Sequence, residues 1–233
     1  GSADHGPFNA EDVEALLGVP TLATIPHFSR ARSRPPAVTV CAPGDARDGR
    51  GDRWSHAGTA AELVIVSDPR SSGAEAFRTL RAALLFATTA PPRVVLVTSA
   101  SPGEGKTVGA LNLAGALAAT GSRVVLVDAD LRRPACHRVL GVSNGTGLAD
   151  ILSGAAGLAG VVQCNVMPGL DFVAAGPTPP DAAELIGSAA MRGVLEQMAD
   201  AYDVVVVDSS PVLPVADATT LARLVDGVVL VIK

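Results

Sequence analysis

Five side chains in this sequence could together hold a phosphate chain and a hard metal ion. Lys106 and Thr107 stand near the end of RVVLVTSASPGEGKTV, residues 93–108. Asp128 and Asp130 end VVLVDAD, and Asp208 ends VVVVD. Glycines such as Gly103 and Gly105 let backbone N–H groups curl round phosphate oxygens, a lysine adds a point charge, and a threonine hydroxyl can bind magnesium. Magnesium keeps several waters and takes one or two carboxylates beside a substrate's phosphates, a role that suits an aspartate at a strand end. The chemistry this pattern offers is the handling of a magnesium nucleotide.

Two rival readings of the loop stay open. The general phosphate-loop pattern asks for glycine at position 100, where this chain has Ala100. A dinucleotide fingerprint, G-x-G-x-x-G, fails at Val108 and leaves Lys106 unexplained. A glycine-rich turn with no ligand is the plainest alternative. Strand-end aspartates also cap helices and begin turns. No G-x-S-x-G elbow surrounds Ser209 and Ser210, so they read as turn residues. His5, His27, His56 and His137 lack metal spacing and read as surface or packing residues.

These residues need a scaffold that gathers them. Val94–Val97, Val124–Val127 and Val204–Val207 are apolar runs rich in β-branched residues, as expected of strands buried on both faces. A small-residue helix from about Lys106 to Thr120, stopped by Gly121, joins the first two. That strand–helix–strand passage implies a right-handed crossover and a parallel pair. It puts Asp128 and Asp130 at the carboxyl edge, where ligands bind in open α/β sheets. The fold class is α/β, a mostly parallel β-sheet flanked by helices on both faces.

Elsewhere the patterns are shorter. Residues 11–17 suggest a helix and 18–26 an extended segment limited by Pro20 and Pro26. Leu63–Val66 reads as a strand. Ser72 and Glu75 make a capping-box signature for a helix to about Ala87, with Phe77, Leu80 and Leu84 on one face. Glu75, Arg78 and Arg81 stand three residues apart, and local pairing of Glu75 with Arg78 is expected. Further helices are expected at 148–153, 188–199 and 217–224, and strands at 170–174 and 228–232. Residues 154–169 show no clear period.

The 233 residues suffice for one sizeable α/β domain with appendages, and 48% apolar content can supply its core. A formal charge of −5 and only 3% aromatic residues give no case for nucleic acid. Cys41, Cys136 and Cys164 are scattered and without metal spacing, which suggests reduced thiols. No apolar run has the length of a membrane span. Gly1-Ser2 reads as the scar of a removed tag, residues 3–28 as an N-terminal, juxtamembrane-like segment, and 29–58 as a flexible linker rich in Arg, Pro and Gly. Residues 59–233 form the expected main domain.

Three stretches carry a resemblance. TSASPGEGKT (98–107), VVLVDADLRRP (124–134) and VVVVDSSPVLPVADA (204–218) resemble the Walker A, A′ and B motifs of bacterial tyrosine kinases. These are the P-loop kinase domains of polysaccharide co-polymerases, which govern capsule and exopolysaccharide synthesis. GLADILSG, AAGPTPPDAAELIGS and AEAFRTLRAALLF are similar to that family too. The resemblance covers about residues 60–233 and implies a protein-tyrosine kinase that uses ATP, leaving ADP, with Mg2+. It implies ATP contacts from Ser101, Pro102, Gly103, Glu104, Gly105, Lys106, Thr107 and Val108, and magnesium held by Thr107, Asp130 and Asp208. Lys106, Asp128 and Asp130 would be catalytic, Asp128 as base or orienter of the tyrosine hydroxyl. Glu75, Arg78 and Arg81 would join copies into a ring-like homo-oligomer. A transmembrane co-polymerase domain, in the same chain or separate, would be the partner, at the cytoplasmic side of the cell membrane.

The chain departs from the family's pattern in three places. Its one tyrosine, Tyr202, lies beside a strand, where the family has a tyrosine cluster in its tail. Ser209 and Ser210 replace the usual Thr-Pro after the strand aspartate. The sequence stops at Lys233, where related domains continue, which suggests a shortened C-terminus. Two other functions stay in view. A MinD/ParA-like ATPase switch would carry an extra early lysine in the loop, absent from 99–102. A nucleotide-sensing regulator without kinase activity would explain the missing tyrosines.

Overall fold

A computed structural model describes residues 10–26, 62–86 and 90–233. The tag scar and the linker at 29–58 lie outside the described residues. Six strands form one sheet in the order β3-β4-β2-β5-β1-β6. These are β1 (Val94–Ser99), β2 (Val124–Asp128), β3 (Gln163–Met167), β4 (Leu170–Val173), β5 (Val204–Asp208) and β6 (Gly227–Val231). All pairs are parallel except β3 with β4.

The valine runs follow from this placement. β1, β2 and β5 are buried along their whole length, so alternation with polar residues would have left charge in a core. Successive side chains point to opposite faces. Val95, Val97, Leu126 and Val206 enter one core, while Leu96, Val125, Val127 and Val205 enter the other.

The first core is covered by α3 (Ser72–Phe86), α4 (Lys106–Ala118) and the short α5 (Cys136–Leu140). Phe77, Leu80 and Leu84 supply the buried face of α3. The glycines of α4 permit close approach: a Cβ added at Gly115 would lie 2.8 Å from the Ile65 side chain. The second core is covered by α6 (Leu148–Leu152), α7 (Leu158–Val161), α8 (Ala182–Ile186), α9 (Ala189–Ala201) and α10 (Asp217–Leu221). Helices therefore flank both faces, as the sequence pattern requires. Near the N-terminus, α1 (Ala10–Leu17) leads into an irregular segment through residue 26.

Several local expectations are corrected. Leu63–Val66 is not a strand; its apolar run forms most of a single helical turn, α2 (Val64–Ser67). Asn112 on α4 supplies the polar partners that a sheet would have given. Its Oδ1 accepts from Ile65 N at 3.1 Å, and its Nδ2 donates to the carbonyls of Glu62 and Val108 at 2.6 and 2.9 Å. The cap of α3 is Ser71, whose Oγ accepts from Ala74 N at 3.1 Å, rather than Ser72. Glu75 pairs with Arg78 at 2.9 Å, as its spacing leads us to expect. Unpatterned residues 154–169 hold α7 and β3. β3 lies at the sheet edge with mixed burial and a register shift, so it carries no regular alternation. α8 follows directly on the proline loop and had no period long enough to read. Cys136 is a free, buried thiol. Among the described residues, no helix is long and apolar enough to cross a membrane.

Candidate active site

The site forms because parallel strands end together. Asp128 and Asp208 are register partners on β2 and β5, and Val97 of β1 is opposite Asp208. The loop after β1 then turns into α4 through Gly103 and Gly105, at φ +87° and +99°. A Cβ at either position would meet nothing within 4 Å, so the glycines serve backbone conformation rather than space. Ser99 Oγ donates to the Ser101 carbonyl at 2.8 Å, and Ser101 N donates to Glu104 Oε2 at 2.8 Å. The loop is thus braced by its own residues. Pro102 and Gly103 are exposed, and Val108 is half-buried in the first turn of α4.

Below the loop the acids and the lysine converge. Lys106 Nζ donates to Asp130 Oδ2 at 3.0 Å and lies 3.8 Å from Asp208 Oδ1. Thr107 Oγ1 donates to Asp208 Oδ2 at 2.7 Å. Asp128 Oδ2 accepts from the Ala135 and Cys136 amides at 3.1 and 3.0 Å, while its Oδ1 has the Asp130 amide at 3.3 Å. Asp208 Oδ1 is buried with no hydrogen-bond partner. The oxygens of Thr107, Asp130 and Asp208 are the hard donors that magnesium takes, and an unpartnered buried carboxylate oxygen is one a cation would satisfy. These residues fit the metal.

Three carboxyl groups share one ammonium, and their acidities follow. Burial, then the charge of Asp208, pushes Asp128 up to about 7. Burial also raises Asp208, against the pull of Lys106. Burial works against the Lys106 charge, but Asp208 and Asp130 outweigh it and its pKa is raised. An Asp128 that holds its proton more tightly when folded means that the native state binds more protons than the unfolded state between about pH 4 and 7. Stability must then fall as pH rises through that window. The melting temperature of nucleotide-free protein is expected to decline from pH 5 to pH 7.5, and Asp128→Asn to flatten that decline. An unchanged slope in the variant would count against this account.

Other predicted residues lie elsewhere. Arg78 also donates to the Pro69 carbonyl at 2.6 Å, and Arg81 to the Ala116 carbonyl at 2.9 Å, so the Glu75 helix makes its contacts away from the acids. Tyr202 is buried, its hydroxyl donates to Asp171 Oδ2 at 2.8 Å, and burial raises its pKa. Ser209 and Ser210 stitch the β5 loop to β1: Ser209 N donates to the Val97 carbonyl at 3.2 Å and Thr98 Oγ1 to the Ser210 carbonyl at 2.9 Å.

Three features of the site had no sequence spacing to reveal them. The Cys136 thiol donates to Asp208 Oδ2 at 3.3 Å. Arg132 Nε donates to Asp217 Oδ2 at 2.9 Å, joining the loop after β2 to the start of α10. Asn144 exchanges two hydrogen bonds with the Gly176 backbone, at 2.9 and 3.0 Å.

Comparison with known proteins agrees with this frame. The sequence model of a family described as an AAA domain matches residues 92–233. The chain is 38% identical over 188 residues to tyrosine-protein kinase YwqD of Bacillus subtilis, covering 80% of this chain and 77% of that one. It is 38% identical over 172 residues to tyrosine-protein kinase Etk of Escherichia coli K12, covering 73% of this chain but 24% of that longer one. The solved kinase domain of E. coli Etk superposes with a TM-score of 0.79 at 32% identity, over 96% of this chain and 80% of that one. The septum site-determining protein MinD of Pyrococcus horikoshii superposes less fully, with a TM-score of 0.52 at 25% identity over 60% of this chain and 57% of that one. Likeness to the kinase domain over nearly all of this chain and partial likeness to MinD agree with the motifs: the chain belongs to the bacterial tyrosine-kinase family of P-loop domains.

Proposed function

We propose that this chain, over residues 59–233, is the kinase domain that transfers the γ-phosphoryl group of ATP to protein tyrosines in a system governing exopolysaccharide or capsule synthesis. The observation that carries the reading is the meeting of Lys106, Thr107, Asp128, Asp130 and Asp208 under a glycine loop at one sheet edge. Backbone N–H groups of residues 101–108 would hold the phosphates, and Lys106 would leave Asp130 to reach the β- and γ-phosphates. Thr107, Asp130 and Asp208 would hold magnesium, in part through water. The metal, when bound, offsets charge on the phosphate oxygens. The tyrosine oxygen bonds to the γ-phosphorus as the bond to the leaving ADP oxygen breaks, and the hydroxyl proton goes to Asp128 Oδ1. That oxygen has one long contact, and a carboxyl titrating at about 7 suits a base at neutral pH.

The acceptor must come from outside the folded core, because Tyr202 is buried and hydrogen-bonded. A tyrosine of a neighbouring copy fits, in a ring-like homo-oligomer that uses Glu75, Arg78 and Arg81. Arg78 and Arg81 already bind carbonyls of their own chain, so a neighbour would have to share or displace those bonds. A membrane co-polymerase domain, fused or separate, is the proposed activating partner, at the cytoplasmic side of the membrane.

The test is incubation with Mg-ATP and a random glutamate–tyrosine copolymer. Phosphotyrosine on the polymer, dependent on magnesium, is expected. Release of inorganic phosphate with no phosphotyrosine would favour a MinD-like ATPase switch. Nucleotide binding with neither product would favour a sensing regulator.

A further inference from the structure

Cys136 is fully buried, yet it faces acids instead of apolar side chains alone. Its Sγ lies 3.3 Å from Asp208 Oδ2, and its own backbone amide donates to Asp128 Oδ2 at 3.0 Å. One ligand atom each from Asp128, Cys136 and Asp208 lie within 4.8 Å of one another. The second oxygen of Asp208 is buried with no hydrogen-bond partner; the nearest cation, Lys106 Nζ, is 3.8 Å away. The unsatisfied buried oxygen, Asp208 Oδ1, beside a thiol marks a place where a cation would gain a ligand that no hydrogen bond now uses.

The donor set decides which cation. Magnesium prefers oxygen alone and draws on Thr107, Asp130 and Asp208, whereas thiolate with carboxylates suits borderline-soft zinc. Zinc takes sulfur at about 2.3 Å and carboxylate oxygen at about 2.0–2.2 Å in a tetrahedron, so three such ligands and one water complete its shell. A tetrahedron of that size needs ligand atoms roughly 3.3–3.8 Å apart; Cys136 Sγ and Asp208 Oδ2 stand at 3.3 Å, and zinc would draw in the third donor from within 4.8 Å. We propose that Asp128, Cys136 and Asp208 form a zinc site that shares Asp208 with the magnesium position. Zinc entry breaks the S–H bond, forms a Zn–S bond and sends the thiol proton to solvent, with no change of oxidation state. Because both ions draw on Asp208, and a second dication beside the first is repelled, magnesium nucleotide is expected to weaken zinc binding; this second statement rests on the function proposed above.

Cobalt(II) substitution gives the readout. The protein is expected to take up one cobalt ion with a sulfur-to-cobalt charge-transfer band and the visible bands of a tetrahedral site, and one equivalent of zinc should erase both. Cys136→Ser should remove the charge-transfer band and weaken zinc binding by more than about a hundredfold, since losing a mere supporting partner of a ligand already costs roughly 10–100-fold. Zinc-edge X-ray absorption on the unaltered protein should show one sulfur and an otherwise oxygen shell. That measurement holds even if the variant does not fold. An all-oxygen shell, or a charge-transfer band that persists in Cys136→Ser, overturns the site. Mg-ADP should suppress cobalt uptake. Cobalt uptake unaffected by Mg-ADP overturns the shared ligand while leaving the zinc site and the kinase reading standing.

Discussion

Replacing Lys106 with methionine is expected to lower tyrosine phosphorylation by roughly 10²–10³-fold, the scale on which a single preorganised charge acts on a transition state. The change also removes the ammonium that faces Asp130 and Asp208 in the nucleotide-free cluster. Taking one partner from a buried pair strands the other, which costs about 3–5 kcal/mol when the remaining charge cannot escape. Here it can escape in part, because Asp128 and Asp208 already hold protons more tightly than usual. The loss of melting temperature in Lys106→Met should therefore be larger at pH 8 than at pH 5. Lys106→Arg keeps the charge and should recover stability more than activity, since a planar fork does not reproduce a compact ammonium. Activity near the unaltered level in Lys106→Met, measured with Mg-ATP and the tyrosine copolymer, would remove the lysine from the mechanism.

The largest stability effect is expected away from the phosphates. Gly147 packs on the end of β4 so closely that an added Cβ would stand 2.1 Å from the Ala174 carbonyl oxygen and 2.5 Å from Gly176 N. Both neighbours are backbone, so no side chain can swing aside. The same junction carries Leu148 N donating to the Ala174 carbonyl at 2.7 Å and the paired bonds of Asn144 with Gly176. Gly147→Ala must push these two backbone segments apart and is expected to destabilise by about 3 kcal/mol or more. In a domain of this size that lowers the melting point by roughly 6–12 °C. Gly157, where an added Cβ meets nothing, is the control: Gly157→Ala should change the melting point little. Equal effects of the two variants would refute the steric account.

The central part of this fold was legible because its residues have no second use. Four apolar residues before Asp128, and four valines before Asp208, fit only a strand buried on both sides, and the strand ends then place the acids. The short elements were not legible. α2 looked like a strand because Leu63, Val64, Ile65 and Val66 are as β-prone as any strand residues; the deciding partner was Asn112, nearly fifty residues away. β3 was unreadable because an edge strand with a register shift has no constant inward face. The loop, its lysine and the acids could be gathered from motifs, whereas Cys136 could not. A cysteine eight residues beyond Asp128 has no motif, and its approach to Asp208 exists only through the pairing of β2 with β5.

That pairing also sets an order of assembly. β5 lies between β2 and β1, yet it follows both in the chain, with Val94 opposite Val205. The glycine loop before α4 is synthesised and helix-bound long before the strand that brings Asp208. Until β5 inserts, two valine-rich strands joined by α4 flank an empty sheet position, and the contacts that fill it close a very long loop before they reward it. Ligand that needs Lys106 and Asp208 together can grip only the finished sheet. Nucleotide should therefore slow unfolding much more than it speeds folding, acting as a lock on a sheet already closed rather than as a template for closing it.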